Sequence, residues 1–231
     1  MLLPAFAAAQ MATSTGAKRG FCAKVEEHAS RLSLRLQDRS GKLASRRSER
    51  EAALTERHVK RDARREEHRA KWDAGKAEHY QKLLAGATTT AQKEAVSVFQ
   101  AVVDTAVQAR RVAMDAAIDA FRDGVQSAIA SRKAQVDGAV STFKNSVNAA
   151  IEKAKADCAA GTEAKTVRET FTASLKAARQ KLQLDRQAID KLKTSVESLA
   201  ATRKAAMDKA KMDFKAAIEK AKADLKAALG A

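Results

Sequence analysis

The residues of this 231-residue chain best equipped for chemistry are two cysteines, four histidines and a dense run of arginines. Cys22 and Cys158 could form a disulfide or remain two free thiols. The histidines, His28, His58, His68 and His79, contain no i, i+4 pair, and neither cysteine has a Cys or His neighbour at zinc-ligand spacing. They read as part of a solvated polar face, with no metal and no cofactor expected. The sequence shows no glycine-rich phosphate loop and no nucleophile elbow. An alanine-rich bundle leaves little room for a substrate pocket. The chain is therefore expected to be non-enzymatic.

The arginine-rich stretch is the stronger candidate. Arg46, Arg47, Arg50, Arg57, Lys60, Arg61, Arg64, Arg65 and Arg69 crowd into 24 residues. Guanidinium groups favour bidentate contacts to phosphate or carboxylate, so the stretch reads as a polyanion-binding stripe. Its plainer alternative is a solvated helix laced with salt bridges, because Glu56–Lys60 and Glu67–Lys71 stand at i, i+4 in the favourable order. Aromatic interleaving is limited to Trp72 and Tyr80, so sequence-specific nucleic-acid reading is not expected. Phosphate-dominated, salt-sensitive binding is compatible with the pattern.

The elements that would carry these residues are set by an eleven-residue repeat. AVSVFQAVVDT, AVQARRVAMDA, AIDAFRDGVQS, AIASRKAQVDG, AVSTFKNSVNA and AIEKAKADCAA follow one another from Ala95 to Ala160 without a gap. The first position is always alanine and the second always Val or Ile. The ninth is Val103, Met114, Val125, Val136, Val147 and Cys158. Eleven residues make three turns of about 3.67, so these positions stay on one helix face. A related pattern recurs at Val196, Met207, Ile218 and Leu229, and Val25, Ala29, Leu32, Leu36 and Leu43 begin in similar phase. One proline, one tryptophan, one tyrosine and 4% aromatics suit narrow helical seams better than a wide core.

Breakers are few. Gly86 to Thr90 and Ala160-Gly161-Thr162 mark turns, and Thr89 with Gln92 has capping-box spacing. The expected fold is all-α, an elongated antiparallel three-helix coiled-coil bundle. Its helices would cover about residues 20–85, 90–160 and 162–229, roughly 70 residues each, in a single rod over 21–231. Level residues on the first two helices should have numbers totalling about 176–180. Cys22 and Cys158 then fall together, which favours a disulfide over free thiols. The same register sets Arg110 beside Glu66 and Glu67, and Arg132 close to Glu49, as polar pairs in the seam. The alternative is that these arginines snorkel to water.

Charge narrows the partner. The net charge is +16. Residues 17–85 carry 19 Lys/Arg against 11 Asp/Glu, and residues 162–231 carry 16 against 9, whereas residues 86–161 carry 9 against 8. Two basic helices thus flank a nearly neutral one, and an anionic polymer or anionic membrane surface is the expected partner. No apolar run reaches transmembrane length. Residues 1–9 (MLLPAFAAA) read as the remnant of a secretory signal peptide and 10–20 as a flexible lead-in. The protein is accordingly expected to be exported, to the periplasm, cell surface or exterior. The other reading of this segment is a disordered N-terminal tail.

An exported scaffold or binding protein with basic outer surfaces is the leading expectation, and the pattern leaves room for a homo-oligomer. In being basic, export-directed and built of long antiparallel helices, the chain resembles the Skp/OmpH group of periplasmic chaperones, although no trimerising β-core is evident. That resemblance implies a holdase function. Its eleven-residue helical repeats are also similar to those of apolipoprotein- and synuclein-like proteins, which implies an amphipathic lipid-surface-binding alternative.

Overall fold

The computed structural model describes residues 20–189 and 191–230; the signal-peptide and lead-in assignments over 1–19 lie outside the described residues. Apart from short turns these residues are helical, with no strand among them. A 3-10 turn at Cys22–Lys24 leads into α1 (Val25–Gly86). It is followed by α2 (Thr90–Ala159), α3 (Ala164–Ala188) and α4 (Leu192–Leu229).

Two of the turns are built from the residues that mark them in the sequence. The Thr89 hydroxyl accepts the Gln92 N–H at 3.2 Å. In return, the Gln92 side-chain oxygen accepts the N–H groups of Thr88 and Thr89 at 2.9 and 3.2 Å. This is the reciprocal capping box, and it starts α2. At the other end Gly161 takes φ 81°. The Thr162 N–H then reaches the Asp157 carbonyl at 3.0 Å and the Gly161 N–H reaches Cys158 at 3.3 Å, a Schellman closure.

The third expected helix differs. In place of one run over 162–229 there are two helices, with Lys191 extended at φ −75°, ψ 113° between them and no side-chain cap at the start of α4. No glycine or proline marks this break. The less exposed positions Leu182, Asp185, Ile189, Leu192 and Val196 keep the spacing of three and four straight through it. Periodicity fixes which face is inward, and it does not report backbone continuity.

The chain divides into two compact units. The first comprises Met1–Gly41 with Ala139–Arg186. Its core gathers Val25 and Ala29 of α1, Val147, Ile151, Ala154 and Cys158 of α2, and Val167 and Phe171 of α3. Phe21 packs on it, with its ring 5.4 Å from Phe171 and stacked on His28 at 5.6 Å. The second unit comprises Lys42–Gly138 with Gln187–Ala231. Its buried cluster is Tyr80, Phe99, Val103, Val107 and Ala221, joined by Leu83, Phe214, Ile218 and Leu225.

In α2, none of the eighteen residues at the first, second and ninth repeat positions is exposed. The apolar content is uneven along the helices. Between Ala29 and Tyr80 no residue of α1 is buried, and between Val107 and Ala139 only Ala117 of α2 is. Over that stretch α1 and α2 meet chiefly through charge.

Candidate anion-binding surface

The charges of α1 sort onto two faces. The inward face carries Arg47, Arg65 and Arg69. The Arg47 guanidinium donates to Asp137 at 2.7 Å. Arg69 donates to Asp115 at 2.7 Å and to Glu66 at 3.0 Å. Arg65 stands 3.1 Å from Asp62 and 3.5 Å from Asp115. Acids on α1 answer in kind: Arg122 of α2 donates to Asp62 at 2.5 Å, and Arg111 donates to both oxygens of Asp73 at 2.9 and 3.0 Å. Lys76 closes the series on Asp104, which also accepts the Tyr80 hydroxyl at 3.3 Å. As residue numbers rise along α1, those of the partners fall along α2.

These contacts shift acid–base equilibria in the directions that ion pairing requires. The Arg122 hydrogen bond holds the Asp62 carboxyl below its ordinary value, against the opposing effect of burial. Arg111 does the same to Asp73. Asp115 and, more weakly, Glu66 hold the Arg69 guanidinium above its ordinary value. Burial, assisted by the Asp104 carboxylate, pushes the Tyr80 phenol up to about 12.

The outward face is different. Arg46, Arg50, Arg57, Arg61 and Arg64 are all exposed, and none makes an ion pair among the described residues. At 100° per residue their spacing confines them to an arc of about 60°. Of the nine basic residues singled out in the sequence, Arg47, Arg65 and Arg69 are thus engaged within the fold. Lys60 pairs with Glu56 on its own helix. The other five form an uncompensated row.

The Arg110 seam pair turns out otherwise. Arg110 is not brought to Glu66 or Glu67. Its guanidinium lies 5.0 Å over the Phe214 ring, and its Nε is buried without a hydrogen-bond acceptor. Glu66 serves Arg69, and Glu67 accepts from Lys71 at 2.6 Å. Arg132 is exposed, and Glu49 accepts from Ser45 at 2.9 Å. Glu26 of α1 meets Lys155 of α2 at 3.1 Å, and between Arg47 and Lys76 the acids that cross between α1 and α2 are aspartates. The signal that could have found them is again eleven-fold: Asp62 and Asp73 are eleven apart, as are Arg111 and Arg122, and Asp104, Asp115 and Asp137 share the tenth repeat position. Side chains on a helix tilt toward its N-terminus. Where partner numbers fall along one helix as they rise along the other, two long side chains therefore meet at totals above those of level backbone positions. Four of the pairs total 184 (47 with 137, 62 with 122, 69 with 115, 73 with 111), above the 176–180 expected for level residues.

Cys22 and Cys158 form a disulfide, with Cα atoms 5.5 Å apart and a separation of 136 in sequence. It ties the turn before α1 to the end of α2 inside the core of the first unit. Of the histidines, His28 is partly buried against Phe21, and His68 and His79 border grooves beside Trp72. No group of three or more His, Cys, Asp or Glu that could hold a metal occurs among the described residues. No helix among them is long and apolar enough to cross a membrane. No family model, no curated protein and no solved structure matches this chain.

Proposed function

We propose that this is a non-enzymatic, exported helical scaffold or binding protein, with helices paired as antiparallel coiled coils, that engages an anionic polymer through the outward face of α1. The observation that carries this reading is the row Arg46, Arg50, Arg57, Arg61 and Arg64: five exposed guanidinium groups on one face with no carboxylate answering them. A helix that used its arginines only for internal salt bridges would resemble the inward face, where each cation meets an aspartate. A fixed row of guanidinium forks instead suits a partner with repeated anionic groups, and its attraction is set by charge and screened by salt. The disulfide supports export, because such bonds persist in oxidising compartments.

The test is retention on a sulfated polysaccharide at low and high salt. The intact protein should bind at low salt and elute as salt rises. A variant with Arg46, Arg50, Arg57, Arg61 and Arg64 all changed to Gln should melt as the parent does and lose most of its retention. Binding that is indifferent to salt, or undiminished in that variant, would refute the proposal.

A further inference from the structure

Beyond the outward arginine row, the second unit holds a groove of a different character. It lies among α1, α2 and α4, has a volume of about 310 Å³, and is floored by Val107, Met114, Phe214 and Trp72. Cations rim it. Two of them, Arg65 and Arg110, present a buried Nε–H that makes no hydrogen bond; that of Arg65 stands 3.5 Å from the Asp115 carboxylate, and that of Arg110 meets none. A charged donor withdrawn from water without a partner is costly and uncommon in folded proteins.

The charge balance at this groove is specific. Arg65, Arg69, Arg110 and Arg111 line it, and Asp62, Glu66, Asp73 and Asp115 pair with the first two and the last. Three of the four cations thus meet carboxylates; the fourth, Arg110, lies over the Phe214 ring instead. A second groove of about 380 Å³ shares Trp72 and Phe214 with the first and continues past Phe99, Val103 and Ile218. Both volumes fall in the range of small-molecule sites.

We infer that this double groove binds a medium- or long-chain monocarboxylate, with its head at Arg65 and Arg110 and its alkyl chain along Trp72, Phe214 and Ile218. A monoanion matches the one lining arginine that meets no carboxylate. A compact inorganic anion would leave the apolar floor wet, and a neutral alkane would leave both Nε–H groups unmet. Trp72, 42% exposed where the two grooves join, is the chain's one tryptophan and reports occupancy directly.

The experiment is titration of the intact, oxidised protein with decanoate, decanol and acetate, read by Trp72 fluorescence and by calorimetry. Decanoate should give a saturable blue shift at one per chain, with decanol and acetate each at least about tenfold weaker, as expected for a charged hydrogen bond and for buried alkyl surface. Arg110→Gln and Arg65→Gln should each weaken decanoate by about tenfold while retaining the parent helix content. Equal binding of acetate and decanoate, or undiminished decanoate affinity in both variants, would overturn the proposal. A fluorescence shift that follows protein concentration instead of decanoate would mean that a second copy covers the groove, and would overturn it as well. Should either variant lose helix, the contrast between decanoate and decanol on the parent protein decides the matter alone.

Discussion

Arg111 of α2 grips Asp73 of α1 through both terminal nitrogens, at 3.0 and 2.9 Å. The pair is one of a series, since Asp62 with Arg122 repeats it eleven residues away on each helix. Where α1 lacks buried apolar residues, these forks fix which residues of α2 stand opposite, a register role that charged seam positions are known to fill.

The first prediction follows from the direction of the carboxyl shifts. Asp62 and Asp73 titrate lower in the folded chain than in the unfolded one. Their contribution is present above the unfolded carboxylate value of about 3.9 and is lost as pH falls through the folded values. Thermal melts between pH 7 and pH 2 should show stability falling on the acid side. In the double variant Asp62→Asn, Asp73→Asn that acid loss should be shallower, and the melting temperature at pH 7 lower. An acid limb identical in the two proteins would remove these pairs from the account.

Much of this arrangement is legible in the sequence, and the reason it stops where it does is physical. Thr89 with Gln92 and the glycine at 161 declare the turns because capping is local chemistry. The eleven-residue repeat identifies the inward face because burial follows period. Cys22 and Cys158 are short side chains, so a backbone register places them well. Arg110 is misplaced by the same register because its guanidinium turns to the Phe214 ring of α4, a helix outside the pairing of α1 with α2. The break between Ala188 and Leu192 is silent, since no residue there is a breaker and the period runs through it.

The disulfide supplies the second prediction. A crosslink across 136 residues removes a large loop entropy from the unfolded chain, about 4–5 kcal/mol in the chain-entropy picture. Urea unfolding of the oxidised protein and of a Cys22→Ser, Cys158→Ser variant should differ by an amount of that order. Thiol titration of the native protein under denaturing, non-reducing conditions should find no free thiol. Two free thiols in the natively isolated protein would contradict both the bond and the exported compartment proposed above.

Tyr80 gives a prediction that reads a single residue, since it is the chain's one tyrosine. Its phenolate absorbance should titrate near 12 in the folded protein and near 10 once denatured, because burial disfavours the charged form. The folded chain therefore holds this proton more tightly than the unfolded chain. That contribution to stability is fully present below pH 10 and is lost as pH rises toward 12. Asp104→Asn should lower the folded value without restoring it to 10, because burial is the larger cause. A native titration near 10 would show the ring to be open to water.

The glycines of α2 separate backbone preference from packing. Gly138 faces open space, so Gly138→Ala should stabilise by about 0.8–1 kcal/mol, the intrinsic gain of alanine over glycine inside a helix. Gly124 carries the same intrinsic preference, yet a Cβ there would come within 2.6 Å of Leu199 Cδ2 and 3.0 Å of Leu199 Cδ1. The leucine of α4 must move, so part or all of the helix gain is offset by lost packing. Gly124→Ala should therefore yield less stability than Gly138→Ala in the same denaturation assay. Combining Gly124→Ala with Leu199→Ala should relieve the clash, making the double change less costly than the single effects added together. Equal gains at the two glycines, with strict additivity at Gly124 and Leu199, would show that α4 does not press on α2 at this point.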